Sequence, residues 1–416
     1  MTTFITTFIT TWKLALRNLA RNRRRTALTA MIISLSLAAL VLTDGVIAAM
    51  GDTLVRSATR LYGGDAQVHQ RGYLDARDEA LTLQQPDEIL QQLDQQTLVE
   101  AATPRALALG MVSSSANNRA VQVTGINAAR EARVSKLESV IVAGQYLNDD
   151  GDETQILIGE RLADLLEVEL GDRLVLSLHN QRDQTAEQQL FRVSGVFRFD
   201  AREFDENSVF ILLPRAQQML GIGNSVHEVA FNLTEASLAG QADLPLFAQL
   251  SNDDRVAEGW PQLMPQLSGM LAMTNVSTII VGVILFVLSA LGVINGLFMS
   301  IYERTWEFGV LLAIGTRRRK LFALILAEGL LLGIGAIIVG LVLGVVITLW
   351  VAHVGIDYGG MEVAGVALNE MIRPGITASH LITLPLWVLA LTLVACLYPA
   401  AHAARIVPAT ALHKSL

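Results

Sequence analysis

The chain has 416 residues, of which 52% are hydrophobic and 17% are charged. Soluble domains average about 25% charged residues, so this chain is too apolar to be soluble throughout. Its 31 basic and 39 acidic residues are nevertheless too many for a protein embedded entirely in lipid. The net charge of −8 argues against a nucleic-acid partner, and the single cysteine excludes an intramolecular disulfide and a cysteine-based metal cluster.

The N-terminal region is predicted to hold a basic amphipathic helix and a membrane span. Residues 1–25 place basic and apolar side chains on opposite faces, which is typical of a helix lying at the membrane surface. Residues 26–50 are long and apolar enough to cross a bilayer, which takes about 20 residues. This stretch does not fit a cleaved signal peptide, because its apolar core is too long and no small-x-small cleavage site follows closely.

Residues 51–275 are predicted to form a soluble mixed α/β domain. They contain 17 basic and 32 acidic residues, so the negative charge of the protein is concentrated there. Short alternating strands favour two lobes, one centred on residues 143–213. Apolar residues at three- and four-residue spacing extend both flanking helices beyond the bilayer as stalks, unless they mark ordinary surface helices. The stalk positions are Ile47, Met50, Leu54, Ala58 and Leu61 on one side, and Leu263, Leu267, Met270, Leu271 and Thr274 on the other.

Three further spans are predicted at residues 276–301, 321–351 and 381–398. Basic residues concentrate before the first span, in the loop 302–320 and in the tail 399–416, whereas the loop 352–380 is acidic. Because short cytoplasmic loops are rich in Lys and Arg, both termini should be cytoplasmic. We therefore expect an α-helical membrane protein with four transmembrane helices and a large α/β extracytoplasmic domain inserted between the first two.

The third predicted span carries a stripe of small residues. Gly329, Gly333, Ala336, Gly340 and Gly344 provide small-xxx-small faces, which allow helices to approach closely. The pattern leaves open whether the partner helix belongs to this subunit or to a neighbouring one.

The sequence contains no signature of catalysis or metal binding. A G-x-x-x-x-G-K-[ST] phosphate loop is missing, the pair His227-Glu228 lacks the second histidine of a zinc-protease helix, and the seven histidines show no ligand spacing. We therefore expect no enzyme activity, no metal and no cofactor on this chain.

The loop 302–320 is predicted to form a short helix that docks another protein. Phe308, Leu311, Leu312 and Gly315 fall on one helical stripe, and Gly315-Thr316 should end the helix before the basic run 317–320. That basic run taken alone would fit a simple anchor to anionic headgroups.

The loop and the third span resemble the FtsX-type permease domain, and a segment of the outer domain resembles the MacB and LolC/LolE group. The loop matches the family pattern at the following positions: Glu303, Arg304, Glu307, Gly309, Leu311, Ala313, Gly315, Arg317, Arg318, Glu328 and Gly333. The ending from Tyr398 to Leu412, the stretch from Leu16 to Thr26, and Ile158-Gly159-Glu160 followed by Gly171-Asp172 look similar to other family segments.

This resemblance implies a mechanotransmission-type ABC transporter subunit in the bacterial inner membrane, with its large domain in the periplasm. ATP and Mg²⁺ would be bound by a separate ATPase dimer, and a second permease subunit, the same or a homologous chain, would complete the complex. A periplasmic adaptor or acceptor protein is a further partner that the resemblance allows. The residues expected to couple to the ATPase are Glu303, Arg304, Glu307, Phe308, Gly309, Leu311, Leu312, Ala313, Gly315, Arg317 and Arg318.

The expected activity is extraction or export of a lipoprotein or another hydrophobic substrate. Its acyl chains would need an apolar cleft, for which the expected residues are Leu35, Ala38, Leu42, Val283, Val287 and Leu288. The alternative is an FtsX-like regulator of cell-wall hydrolases that transports nothing, although its outer domain is generally much smaller. An ion-coupled transporter should show paired midplane charges and inverted repeats, and neither is visible.

Overall fold

A computed structural model describes residues 2–21, 23–358, 362–363, 366–367 and 371–407. The C-terminal motif from Pro408 onward and part of the predicted loop 352–380 lie outside the described residues. The chain divides into two compact units: a helical unit of residues 1–51, 272–357 and 371–416, and a sheet unit of residues 52–271 and 358–370.

The described residues form helices and strands in the following order. The helices are α1 (Thr2–Arg21), α2 (Arg23–Ala58), α3 (Tyr73–Ala76), α4 (Pro86–Asp94), α5 (Ala128–Val134), α6 (Glu160–Leu166), α7 (Arg202–Asn207), α8 (Leu213–Leu220), α9 (Pro245–Leu250), α10 (Trp260–Leu263), α11 (Pro265–Glu303), α12 (Thr305–Ala313), α13 (Arg318–Val354) and α14 (Ala378–Ala404). The strands are β1 (Ala66–Gln70), β2 (Val99–Ser113), β3 (Asn118–Ile126), β4 (Ile141–Gly144), β5 (Gln155–Gly159), β6 (Arg173–Asn180), β7 (Thr185–Phe197), β8 (Ser208–Leu212), β9 (Glu228–Leu233), β10 (Arg255–Gly259), β11 (Glu362–Val363) and β12 (Val366–Ala367).

Four of these helices, α2, α11, α13 and α14, are long and apolar enough to cross a membrane. Each contains one of the four predicted spans. The fourth helix is longer than its predicted span of residues 381–398, because it begins at Ala378 and continues to Ala404 with Pro385 and Pro399 inside it. The four apolar helices expected from hydropathy are thus confirmed.

The small residues of α13 pack against helices of the same chain. A Cβ atom placed on Gly340 would lie 2.8 Å from the carbonyl oxygen of Ser34 in α2, and one on Gly329 would overlap the sulfur of Cys396 in α14. The Ser34 hydroxyl also donates a hydrogen bond of 2.8 Å to the Ala336 carbonyl. The small-residue stripe therefore serves close packing within the subunit, which was one of the two expected alternatives.

The sheet unit is built on one mixed ten-stranded sheet. Nine strands follow the order β10-β1-β9-β2-β3-β8-β5-β7-β4, and β6 pairs with both β2 and β7. The pairs β3–β8 and β5–β7 are parallel, and the other pairs are antiparallel. One core is formed by buried residues between 106 and 220, and a second by residues from 66–102 and 226–257. This division agrees with a strand-rich lobe inserted into a lobe made from the flanking segments.

Both stalk regions are helical at the edge of the sheet unit. α2 continues to Ala58 and is followed by a π-helical turn over Thr59–Gly63, and α11 begins at Pro265. Leu54 and Leu267 on these two segments are buried. Leu263 lies in the separate short helix α10, so the second stalk begins two residues later than its pattern predicts.

Candidate functional site

The loop between α11 and α13 folds as a short helix bounded by a tight turn at each end. Arg304 separates α11 from α12, and its backbone NH donates to the carbonyl of Ile301. α12 ends at Ala313, and Gly315 then adopts a positive φ of 99°, which glycine tolerates without strain. The predicted helix end at Gly315 is confirmed.

Arg304 is the centre of a buried charge cluster. Its Nη1 donates to Glu328 Oε1 at 2.8 Å, its Nε donates to Glu307 Oε2 at 3.0 Å, and its guanidinium lies 5.0 Å from the ring centre of Phe308. Burial disfavours the charged guanidinium, but the carboxylates of Glu328 and Glu307 outweigh it and raise the pKa of Arg304. The cation is therefore held by two carboxylates in a site from which water is largely excluded.

Glu328 connects three helical segments of the helical unit. It is 4% exposed on α13, accepts from Arg304, and also accepts from Asn18 Nδ2 of α1 at 2.5 Å. Glu328 lies eight residues, or about 12 Å of α helix, beyond Lys320. It therefore pairs with Arg304 and Asn18 rather than with the basic run 317–320.

Two exposed ion pairs surround the buried cluster. Arg21 of α1 contacts Glu307 at 2.7 Å, and Arg25 of α2 contacts Glu303 at 2.6 Å. Partial burial would raise the pKa of Glu307, but hydrogen bonds from Arg304 and Arg21 outweigh this and lower it. Arg21, one of the basic residues of α1, thus binds the loop helix α12.

α12 has a buried face and an exposed face, both of which are apolar. Phe308 and Gly309 are buried, and Leu312 is half-buried. Five other predicted coupling residues of this segment are exposed. Leu311 is 39% exposed, and the remaining ones lie at or beyond the end of the helix: Ala313, Gly315, Arg317 and Arg318. The predicted stripe is therefore divided, because Phe308 packs inward while Leu311 points away.

Two exposed apolar residues of this region were missed by the sequence reasoning. Trp306 is 51% exposed and Ile314 is 79% exposed. Their eight-residue separation, with Val310 midway, was the helical signal that could have revealed them. Together with Leu311 they form what we call the α12 outer face.

The predicted cleft residues do not all lie on one kind of surface. Leu35, Val283, Val287 and Leu288 are exposed, and Leu42 is half-buried. Ala38 is 2% exposed and lies against Gly344 of α13. Ala38 is therefore part of the helix packing within the subunit and not available to an outward-facing cleft.

A second polar contact joins α2 to α14. His380 Nε2 lies 2.8 Å from Asp44 Oδ2, and His380 Nδ1 accepts from the backbone NH of Thr377 at the start of α14. Asp44, whose side chain is 38% exposed, is thus paired with a buried imidazole.

No constellation in the described part of the chain resembles a metal centre, since no group of three His, Cys, Asp or Glu side chains is positioned to share an ion there. His227 is held by two structural hydrogen bonds. Its Nδ1 accepts from the Leu107 backbone NH, and its Nε2 contacts the Glu79 carbonyl oxygen, both at 2.9 Å. These bonds give His227 a structural role beside Glu228.

Two family models match the chain and together cover most of it. The model described as MacB-like periplasmic core domain matches residues 26–244, and the FtsX-like permease C-terminal model matches residues 279–408. The first match alone spans more than half of the 416 residues.

Similar proteins include permeases from two organisms. An uncharacterised ABC transporter permease of Methanocaldococcus jannaschii is 25% identical over 50% of this chain and 51% of its own length, so the match spans about half of that relative. The lipoprotein-releasing system transmembrane protein LolC of Xylella fastidiosa (strain Temecula1) is 24% identical over 69% of this chain and 71% of its own length. The periplasmic region of MacB from Actinobacillus actinomycetemcomitans matches 51% of this chain and 95% of its own, with 14% identity and a TM-score of 0.36.

Proposed function

The chain belongs to the permeases that combine a MacB-like periplasmic core domain with an FtsX-like permease C-terminal domain, and we propose that it is the membrane subunit of an ABC transporter powered by a separate ATPase dimer. ATP and Mg²⁺ bind to that partner. This chain receives the motion of the ATPase and passes it to its large outer domain.

The observation that carries the proposal is the two-sided construction of α12. Its inner side is fixed by Arg304, Glu328 and the buried Phe308, whereas the α12 outer face exposes Trp306, Leu311 and Ile314. An exposed apolar patch flanked by the cations of residues 317–320 is typical of a surface that contacts another protein. We assign this face to the ATPase.

The path for transmission starts at the buried cluster. A displacement of α12 moves Arg304, and the ion pair to Glu328 transfers that force to α13, while Asn18 and Arg21 transfer it to α1. α2 has 36 residues and α11 has 39, so at 1.5 Å per residue they are about 54 Å and 58 Å long. Each contributes residues to both units of the chain, which makes them suitable levers.

We assign the basic end of the helical unit to the cytoplasm. The cations of residues 13–25 and 317–320 then satisfy the rule that cytoplasmic segments are rich in Lys and Arg. Both termini are cytoplasmic in this arrangement, and the acidic domain of residues 51–275 is in the periplasm of a bacterial inner membrane protein.

The proposed substrate is a lipoprotein or another hydrophobic molecule taken from the outer leaflet. The name of the Xylella fastidiosa relative, a lipoprotein-releasing system protein, supports this class. Leu35, Val283, Val287 and Leu288 offer exposed apolar surface, and a second permease subunit facing them would complete a cleft for acyl chains.

The docking part of the proposal is tested by charging the α12 outer face. The double variant Trp306→Asp with Ile314→Asp should no longer co-purify with the ATPase that accompanies the wild-type chain, because an apolar contact cannot accept two buried carboxylates. Leu109→Asp is the matched control, since Leu109 is 76% exposed in the sheet unit. Undiminished recovery of ATPase with the double variant would overturn the docking assignment.

The substrate part is tested by photo-crosslinking from Leu35 and Leu288. Crosslinks to a lipidated protein, lost when ATP hydrolysis proceeds, support extraction. Recovery of a cell-wall hydrolase in place of a lipidated protein would show that the chain is a regulator.

A further inference from the structure

The sheet unit contains a cavity of about 240 Å³ that the permease mechanism does not use. Its wall includes Ala58 and Leu61 at the end of the first stalk, and Leu263 and Met264 directly before the second stalk begins at Pro265. The cavity is therefore formed where the two stalk regions meet within the sheet unit.

The greater part of the cavity wall is apolar. Beside the four residues at the ends of the stalks, Leu107 of β2 and Phe204 of α7 contribute hydrocarbon surface. Gly63 also lines the cavity, and a Cβ there would lie 2.8 Å from the terminal methyl of Met264, so the thioether side chain closes tightly over this glycine. Such a wall accommodates an aliphatic chain and gives it no polar partner.

Arg77 supplies a positive charge at the same cavity. It follows the short helix α3 and adopts the left-handed conformation, with φ of 50° and ψ of 31°, which is uncommon for residues other than glycine. Its backbone NH donates to the carbonyl of Tyr73 at 2.8 Å, which fixes the turn. Within the described part of the chain, the guanidinium of Arg77 makes no hydrogen bond or ion pair.

A buried carboxylate in the cavity wall has a closer cation than Arg77. Glu228 is 4% exposed and accepts from Arg105 Nη1 at 3.0 Å, and Arg105 is itself bound to Glu131. Gln67 also lines the cavity, and its Nε2 donates to the Gly63 carbonyl oxygen at 2.9 Å. Burial raises the pKa of Glu228, and Arg105 and, more weakly, Arg77 oppose this rise. Arg105 is the hydrogen-bonded partner of Glu228, so the exposed guanidinium of Arg77 keeps its donors for a ligand.

Arg77 is thus an exposed cation in a left-handed turn beside an apolar cavity, without a hydrogen bond or ion pair in the described part of the chain. We propose that this cavity binds an anionic amphiphile with a short aliphatic chain, whose carboxylate or phosphate pairs with Arg77. The chain of the ligand lies against Leu61, Phe204 and Met264. This site is separate from the cleft proposed for the transported substrate, and it requires no ATPase.

The proposal predicts selective labelling by a short anionic probe. The full chain in nanodiscs of zwitterionic lipid is irradiated with an octanoate that carries a diazirine on its chain, and the labelled peptides are identified by mass spectrometry. We expect labels on peptides containing Leu61, Phe204 or Met264, and competition by unlabelled octanoate. Labels confined to the apolar faces of the four long helices would overturn the proposal, because they would show partition into lipid only.

Charge selectivity is measured with competitors of equal chain length. Octanoate and octyl phosphate should compete at least tenfold better than octanol or octylammonium, and the ratio of the first two identifies the preferred anion. Equal competition by octylammonium would show that Arg77 does not select the ligand and would overturn the proposal.

The variant Arg77→Asn removes the cation while keeping a residue that tolerates the left-handed conformation. It should lose at least nine-tenths of the labelling. The matched control is Arg119→Asn, because Arg119 is an exposed arginine of β3 that does not line the cavity. Unchanged labelling of Arg77→Asn, with an unfolding temperature equal to that of the control, would refute the site and leave the permease function untouched.

Discussion

Arg304 and Glu328 are 24 residues apart in the sequence, and their side chains form an ion pair of 2.8 Å that is almost completely buried. Removing two charges from water is costly, and such a pair persists only where further hydrogen bonds compensate each partner. Here Glu307 adds a second acceptor for Arg304, and Asn18 adds a second donor to Glu328. The pair therefore ties the turn between α11 and α12 to α13, and Asn18 extends this connection to α1.

Replacing Glu328 with glutamine should destabilise the helical unit by about 3 kcal/mol, because breaking one partner of a buried pair leaves the other charge poorly compensated. The measurement is the free energy of unfolding, or the unfolding temperature, of the purified chain in detergent. In the complex with an ATPase that we propose, the same variant should reduce stimulation of ATP hydrolysis by substrate, since α12 is no longer tied to α13.

Glu303→Gln provides the control for this prediction. Glu303 and its partner Arg25 are both partly exposed, with side chains 41% and 25% accessible, and exposed pairs contribute about 0–1 kcal/mol. If Glu303→Gln and Glu328→Gln lowered the free energy of unfolding by the same amount, burial of the Arg304–Glu328 pair would have no special importance.

Gly340→Ala should weaken the contact between α13 and α2. The added methyl would lie 2.8 Å from the Ser34 carbonyl oxygen and 2.9 Å from its Cα atom, so the two helices must separate. Overpacking of this kind costs about 1–3 kcal/mol. The unfolding temperature of the purified chain reports the loss.

Gly335→Ala is the matched substitution, on the preceding turns of the same helix. A Cβ at Gly335 meets nothing within 4 Å, so the higher helix propensity of alanine should leave stability unchanged or improve it slightly. If both alanine variants behaved alike, the close approach of α13 to α2 would not be the cause.

Hydropathy and charge predicted the four long helices and the position of the loop helix, because these properties depend on residues that are adjacent in the sequence. The partner of Glu328 could not be predicted in this way, since it depends on how α13 is rotated relative to Arg304. The same limitation affected α12, whose stripe was assigned to one face although Phe308 is buried and Leu311 is exposed. Ala38 was misplaced because its apolar character fits a lipid-facing cleft and a helix contact equally well.

The pH dependence of the sheet unit should be partly set by His227. Burial lowers the pKa of His227 below its usual value, so the unfolded chain takes up a proton near pH 6.5 that the folded chain does not. Stability should therefore fall as the pH decreases below about 6.5, by at most about 1.4 kcal/mol per pH unit for each such proton. His69, whose pKa burial also lowers, contributes in the same direction.

His227→Gln tests this assignment through the slope of unfolding free energy against pH between about 7 and about 5, the window around the unfolded pKa. The variant should be less stable at neutral pH, because Leu107 and Glu79 lose well-placed partners, but its slope should be smaller than that of the wild type. His179→Gln, which makes the same substitution at an exposed histidine, is the control for the change of residue type itself. A slope unaltered by His227→Gln would assign the pH dependence to other groups.

Exchanging the two charges of the Arg21–Glu307 pair should preserve the attraction between these positions. The two atoms are 2.7 Å apart and both side chains are more than one-third exposed, so the pair contributes at most about 1 kcal/mol to stability. Arg21→Glu should nevertheless reduce substrate-stimulated ATP hydrolysis in the complex, because it repels the helix that carries the α12 outer face. Combining Arg21→Glu with Glu307→Arg should restore much of the coupling if attraction between these two positions is what matters.

The charge-reversed pair must also be compared at low and high salt, because the guanidinium introduced by Glu307→Arg lies close to that of Arg304 and salt screens this repulsion. The single variant Glu307→Arg measures how far repulsion from Arg304 lowers substrate-stimulated ATP hydrolysis. If the double variant shows more substrate-stimulated ATP hydrolysis than either single variant, attraction between the two positions is what matters. If it does not, the particular side chains of Arg21 and Glu307 are required. A double variant as defective as the singles at every salt concentration would show that the attraction between α1 and α12 is not part of the transmission path.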